Sequence, residues 1–248
     1  MARVFLILFA IVALAATPCL AEPSSVESKD VIQRYLAASE AQSQSRAASM
    51  EISIDASIPK LKKEGKLHAL RKISQLGKIT YKFLGFQGDD TIKTEVIARY
   101  LEADQKGQDS GKFAITPENY KFKFKGMHTL QNGQQIYVIF LTPRRKEVGL
   151  FKGEMWLDAE TYLPVMESGK LVKSPSVFFK KVEFMRDFKI EKGIAVPQHM
   201  LSTIEARLIG KVNLTVNYTG YQPGSDETPE PTGTTTTSSA HPAPSVVK

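Results

Sequence analysis

An α+β fold, one antiparallel sheet with few helices, is what this sequence predicts. Three features predict it. Across residues 151–221, apolar and polar side chains alternate with a period near two, broken by turns. A second alternating run occupies residues 50–58, far upstream. Helical spacing of apolar residues is confined to two stretches, about 28–48 and 91–103. Strands joined as a meander, with one apolar and one wet face, account for the first two features.

Residues 1–21 read as a secretory signal peptide. Arg3 gives the positive start, the apolar run after it is short for a membrane span, and Cys19-Leu-Ala21 leads to a cut after Ala21. Cys19 is the single cysteine, so a mature chain cut there has no disulfide, thiolate nucleophile or cysteine metal ligand. Ser28 is the expected cap of the first helix, whose inner face carries Val31, Ile32, Tyr35 and Leu36. Met50, Ile52, Ile54, Ala56 and Ile58 alternate with Glu51, Ser53, Asp55 and Ser57, a half-buried strand that Pro59 ends. Strands are expected over 67–73 and 79–86, with Gly77 in the turn and Tyr81 and Phe83 facing together. Gly88-Asp89-Asp90 opens the second helix, with Ile92, Val96, Ile97, Tyr100 and Leu101 on one side.

Tyr120, Phe122 and Phe124 alternate with Lys121, Lys123 and Lys125. Two readings stand. The lysines guard an edge strand against pairing, or they meet anionic headgroups while the aromatics touch acyl chains. Asn132-Gly133 predicts a two-residue hairpin loop into a strand over 136–141 that is apolar on both faces, hence central in the sheet. Phe151, Met155 and Leu157 share a face opposite Lys152, Glu154 and Trp156. The charged, small segment Glu167-Ser-Gly-Lys170 suggests a bend or bulge. Val182, Phe184, Phe188 and Ile190 then alternate with Glu183, Asp187 and Lys189, and Met200, Ile204, Ala206 and Leu208 line the next strand. Val212, Leu214, Val216 and Tyr218 alternate most cleanly of all. From residue 222 the chain turns to Pro, Thr, Ser and Gly, a composition that reads as a disordered tail and leaves 22–221 as the folded domain.

Three blocks carry a family resemblance. They are Gly153-Glu-Met-Trp-Leu-Asp-Ala-Glu-Thr161 followed by Pro164, Val182-Glu-Phe-Met-Arg-Asp-Phe188 followed by Gly193 and Pro197, and Gly210-Lys-Val-Asn-Leu-Thr-Val-Asn-Tyr218. In pattern and spacing the chain resembles the bacterial outer-membrane lipoprotein-sorting proteins of the LolA-like superfamily. The resemblance covers about residues 31–221. It implies a strongly curved antiparallel sheet, an unclosed barrel wrapped over a few helices, as in LolA- and RseB-like proteins. It also implies an apolar cavity that takes acyl chains in the periplasm, with an N-terminal helix plugging its mouth.

The net charge is +7, and the tail is acidic, so the folded part is more basic than the whole. Export makes nucleic acid an unfitting partner; an anionic membrane surface or an acidic envelope protein fits. No two of His68, His128, His199 and His241 have metal-ligand spacing, and no nucleophile elbow or phosphate-cradling glycine loop occurs. Asp89-Asp90 reads as a helix start. The expectation is therefore a non-catalytic protein with no cofactor and no metal. It carries the acyl chains of a lipid or lipoprotein, or regulates or adapts by binding envelope membrane proteins. The apolar strand faces offer Ile52, Ile54, Phe83, Phe122, Phe124, Met155, Phe184, Leu214 and Val216 as cavity residues. A helix over 30–47 is the expected gate.

Overall fold

The computed structural model of the chain describes residues 25–43, 47–107, 112–175 and 179–224. The expected signal peptide lies outside the described residues, as does all but the start of the expected tail. Helix α1 (Ser25–Ser43) comes first, beginning three residues before the expected cap. Strands β1 (Ala48–Ile58), β2 (Lys63–Ile73) and β3 (Ile79–Gly88) follow as a meander. A π-helical stretch (Ile92–Ile97) leads into α2 (Ala98–Gly107). Asp89 starts it: its Oδ1 accepts from Thr91 N–H at 2.8 Å and pairs with Lys63 Nζ at 3.2 Å. The remaining strands are β4 (Tyr120–Thr129), β5 (Gln135–Pro143), β6 (Phe151–Asp158), β7 (Pro164–Leu171), β8 (Phe179–Glu191), β9 (Ile194–Ala206) and β10 (Gly210–Pro223). β10 runs two residues past the boundary expected at Tyr221.

All ten strands form one sheet in the order β3-β2-β1-β10-β9-β8-β7-β6-β5-β4, every adjacent pair antiparallel. The edges β3 and β4 do not pair, so the sheet is an unclosed, strongly curved barrel, as the resemblance implied. β4 is an edge strand, with Tyr120 and Phe124 turned inward and its three lysines exposed. Two hydrophobic clusters fill the concave side. Ile92, Val96, Ile97 and Leu101 cover β1, β2 and β10, whereas Val31 and Tyr35 of α1 cover β4, β5 and β6. Each fully buried aliphatic side chain there contributes about 1.5–3 kcal/mol.

Four local expectations are corrected. The β4–β5 loop has three residues, because Leu130 and Gln134 still pair, with Gly133 in the left-handed region at φ 85°. Strand β5 lies one in from the edge and owes its two apolar faces to that position between β4 and β6. Glu167 to Lys170 is continuous strand, paired on both sides. Leu208 lies in the β9–β10 turn, 75% exposed, because the inward row stops at Ala206.

Gly153 and Gly169 face each other across β6 and β7 at close approach. A Cβ on Gly169 would lie 2.7 Å from the Lys152 carbonyl oxygen, and one on Gly153 would collide with the Ser168 carbonyl. Only glycine permits this approach.

Candidate functional site

Cross-strand register assembles one lateral row on the concave face. From β2 to β4 it runs Leu67, Ile54, Val216, Met200, Arg186, Glu167, Met155, Ile139, Phe124, each residue directly opposite the next. Every member but the central pair is a buried apolar side chain. The α2 cluster covers the row as far as Met200, and the α1 cluster covers it from Met155. Arg186 and Glu167 therefore stand at the seam between the two helices. Phe184, one inward position from Arg186, meets Phe151 edge-on at 5.0 Å between centroids.

The central pair is loosely made. Arg186 Nη1 lies 3.7 Å from Glu167 Oε2, beyond hydrogen-bond reach. The Glu167 side chain is 11% exposed, whereas Arg186 keeps 39%. Burial pushes the Glu167 carboxyl above the ordinary carboxylate range, and Arg186 offsets this only in part. Burial also opposes the Arg186 charge, but Glu167, Tyr218, Tyr100 and Asp104 outweigh it and hold the guanidinium protonated.

Each helix is tied to the sheet. On the α2 side, buried Arg71 of β2 donates to Asp104 at 3.0 Å, Tyr81 donates to the same carboxylate, and the Tyr100 and Tyr218 hydroxyls meet at 3.0 Å. On the α1 side, Tyr35 Oη donates to the Ile115 carbonyl at 3.3 Å and Gln42 Oε1 accepts from Ala195 N–H at 2.8 Å. Arg34 lies over the Tyr162 ring at 5.3 Å, and Tyr162 stacks on Tyr137. Burial, then the charge of Glu167, raises the Tyr35 phenol.

The nine expected cavity residues divide three ways. Ile52, Ile54, Leu214 and Val216 are buried under α2. Phe124 and Met155 are buried under α1, with Phe122 and Phe184 half-buried beside them. Phe83 is 64% exposed on edge strand β3, beside a register shift, and is not with the others. Among the described residues, two depressions stand out. One of about 550 Å³ lies on the convex side, lined by Trp156, Met166 and Asp187 among others; one of about 230 Å³ lies near Met50, Val196 and Tyr218. None of the nine lines either. Sequence reasoning missed Arg186 and Glu167. Arg186 occupies the inward slot of Val182-x-Phe184-x-Arg186, and a charge on an apolar parity was the available signal.

Among the described residues no group of His, Cys, Asp and Glu could hold a metal, and no helix is long and apolar enough to cross a membrane. The sequence matches no protein-family model and no curated protein. Among solved structures, the chain is similar to a LolA superfamily protein from Nitrosomonas europaea at 10% identity, covering 80% of this chain and 94% of that one, TM-score 0.41. It is similar to a putative outer membrane lipoprotein-sorting protein domain from Vibrio parahaemolyticus at 11% identity, covering 79% and 92%, TM-score 0.43. It is also similar to a chain of the Pseudomonas aeruginosa MucA/MucB complex at 10% identity, covering 80% and 99%, TM-score 0.27.

Proposed function

We propose that this protein is an exported, periplasmic, non-catalytic carrier or receptor that holds an acyl chain of a lipid or lipoprotein between its sheet and its helices. The observation that carries this reading is the inward row, apolar on both sides of its central charged pair and covered by two separate helical clusters rather than one. Two independent covers parting at a seam give a chain a way in. Burying each methylene contributes about 0.8 kcal/mol, so ten methylenes give about 8 kcal/mol, from which the costs of association and of displacing a helix are subtracted. The inner face is occupied by helix side chains here, so loading displaces one helix. The gate is α1, which buries only Val31 and Tyr35 fully.

Purification from a bacterial periplasm without detergent, followed by native mass spectrometry and lipid extraction, tests the reading. The expected result is a lipid or acylated peptide near one per protein, lost in a Phe122→Asp or Phe184→Asp variant that still folds. Apo protein that takes up no fluorescent acyl probe contradicts it.

A second reading, a regulator or adaptor that binds an envelope membrane protein, draws on one observation. Phe83 and Leu84 are exposed on the unpaired edge β3, and Leu76 is exposed in the preceding turn. A stoichiometric membrane-protein complex that a Phe83→Ser/Leu84→Ser variant fails to form is the result that would favour it.

A further inference from the structure

We infer that Arg186 is an anion-binding subsite on the concave face of the sheet, and that it takes the carboxylate or phosphate headgroup of a single-chain anionic amphiphile whose tail lies along the apolar part of the row. The inference rests on the carrier reading and adds the chemical class of the cargo.

The geometry carries it. Arg186 stands at the middle of a row whose flanks are wholly apolar, beside the buried carboxylate of Glu167. A guanidinium presents five donors in a planar fork, matched to two oxygens of one anion at about 2.8 Å. Among the described residues the one carboxylate within 4 Å of it is that of Glu167, at 3.7 Å through a single nitrogen, with Asp104 acting on its charge from farther off. The fork is thus loosely partnered, with 39% of the side chain left open to solvent. Phe184 steadies it, the ring centroid 6.0 Å from Cζ. Glu167 is the resident counter-charge: it keeps Arg186 tolerable in the empty protein, and burial weakens its claim as a carboxylate. The Tyr100 and Tyr218 hydroxyls, 3.0 Å from each other, lie on the α2 side of the same seam and act on the Arg186 charge. An amphiphile fits this arrangement because the apolar residues begin at once on both sides, Met200 in one direction and Met155 beyond Glu167 in the other.

The test uses the full exported protein, titrated with laurate and dodecyl phosphate as charged probes, dodecanol as the neutral chain, and acetate and inorganic phosphate as anions without a chain. The expected result is that Arg186→Gln weakens laurate and dodecyl phosphate about ten- to a hundred-fold, the range of a charge-assisted hydrogen bond, and leaves dodecanol within about twofold. Arg186→Lys, which keeps the charge without the fork, recovers part of the loss and serves if the glutamine variant does not fold. Glu167→Gln, with the competing carboxylate gone, tightens the charged probes. Equal affinity for laurate and dodecanol in the wild type, or an Arg186→Gln loss that is the same for both, overturns the inference while leaving the carrier reading intact. Binding of acetate or inorganic phosphate as tightly as their chain-bearing forms overturns it too, since the site would then take a free anion. Failure of every chain-bearing probe to bind overturns the carrier reading and the inference together.

Discussion

Asp104→Leu is expected to lower the stability of the fold by about 3 kcal/mol, read as a shift of the urea midpoint at unchanged slope. Asp104 is the carboxylate that both Arg71 and Tyr81 address, and the Arg71 side chain is only 6% exposed. Removing one partner of such a pair strands a buried guanidinium, which costs far more than the pair itself contributes. The damage is specific to the charge. An Arg71→Met/Asp104→Leu double variant, with neither charge left, is expected to recover most of the loss. A double variant as unstable as the single one would show that the loss does not come from the stranded guanidinium charge. The single variant has a second consequence. With α2 loosened over β1, β2 and β10, the apolar row opens from that flank, and a fluorescent acyl probe is expected to load faster.

Gly153→Ala is expected to cost about 3 kcal/mol or more, for one added methyl group. Its Cβ would fall on backbone: on the Ser168 carbonyl, and 2.5 Å from the Gly169 Cα. No rotamer relieves a clash between backbone and Cβ, so β6 and β7 must move apart. These strands carry Met155 and Glu167, so the spreading reaches the middle of the row. Gly193→Ala is the control. Gly193, unlike Gly153, has positive φ, and a Cβ there meets nothing within 4 Å, so its cost is the backbone strain alone, about 1–2 kcal/mol. Thermal unfolding of the two variants side by side separates crowding from strain; an equal, small loss in both would contradict the close-approach account.

The strands were readable wherever one face is buried and the other wet. β1 shows it best: Ile52, Ile54 and Ile58 lie inward and the alternating polar residues outward, because a one-residue slip would invert the whole set. β10 reads the same way through Val212, Leu214, Val216 and Tyr218. The pattern fails where a charge takes an inward slot. Glu167 looked like part of a turn because it neighbours Ser168, Gly169 and Lys170. Only its register with Met155 on one side and Arg186 on the other places it inside. Register between strands cannot be read along a single strand. Phe83 fails for a different reason. The register shift in β2–β3 between His68 and Ala69 and the position of β3 at the edge leave its ring outside the core. Periodicity also could not say which apolar residues meet a helix, and so could not show that the row is covered in two halves.

Methyl resonances of methionine offer the most direct test of where a chain binds. Met155 and Met200 flank the central pair on the concave face, whereas Met166 and Met185 occupy the opposite parity of their strands. With methyl-labelled methionine and a fatty acid bearing a nitroxide along its tail, the account predicts strong broadening at Met155 and Met200 and little at Met166 and Met185. Broadening centred on Met166, beside the convex depression, with Met155 and Met200 unchanged, would contradict it.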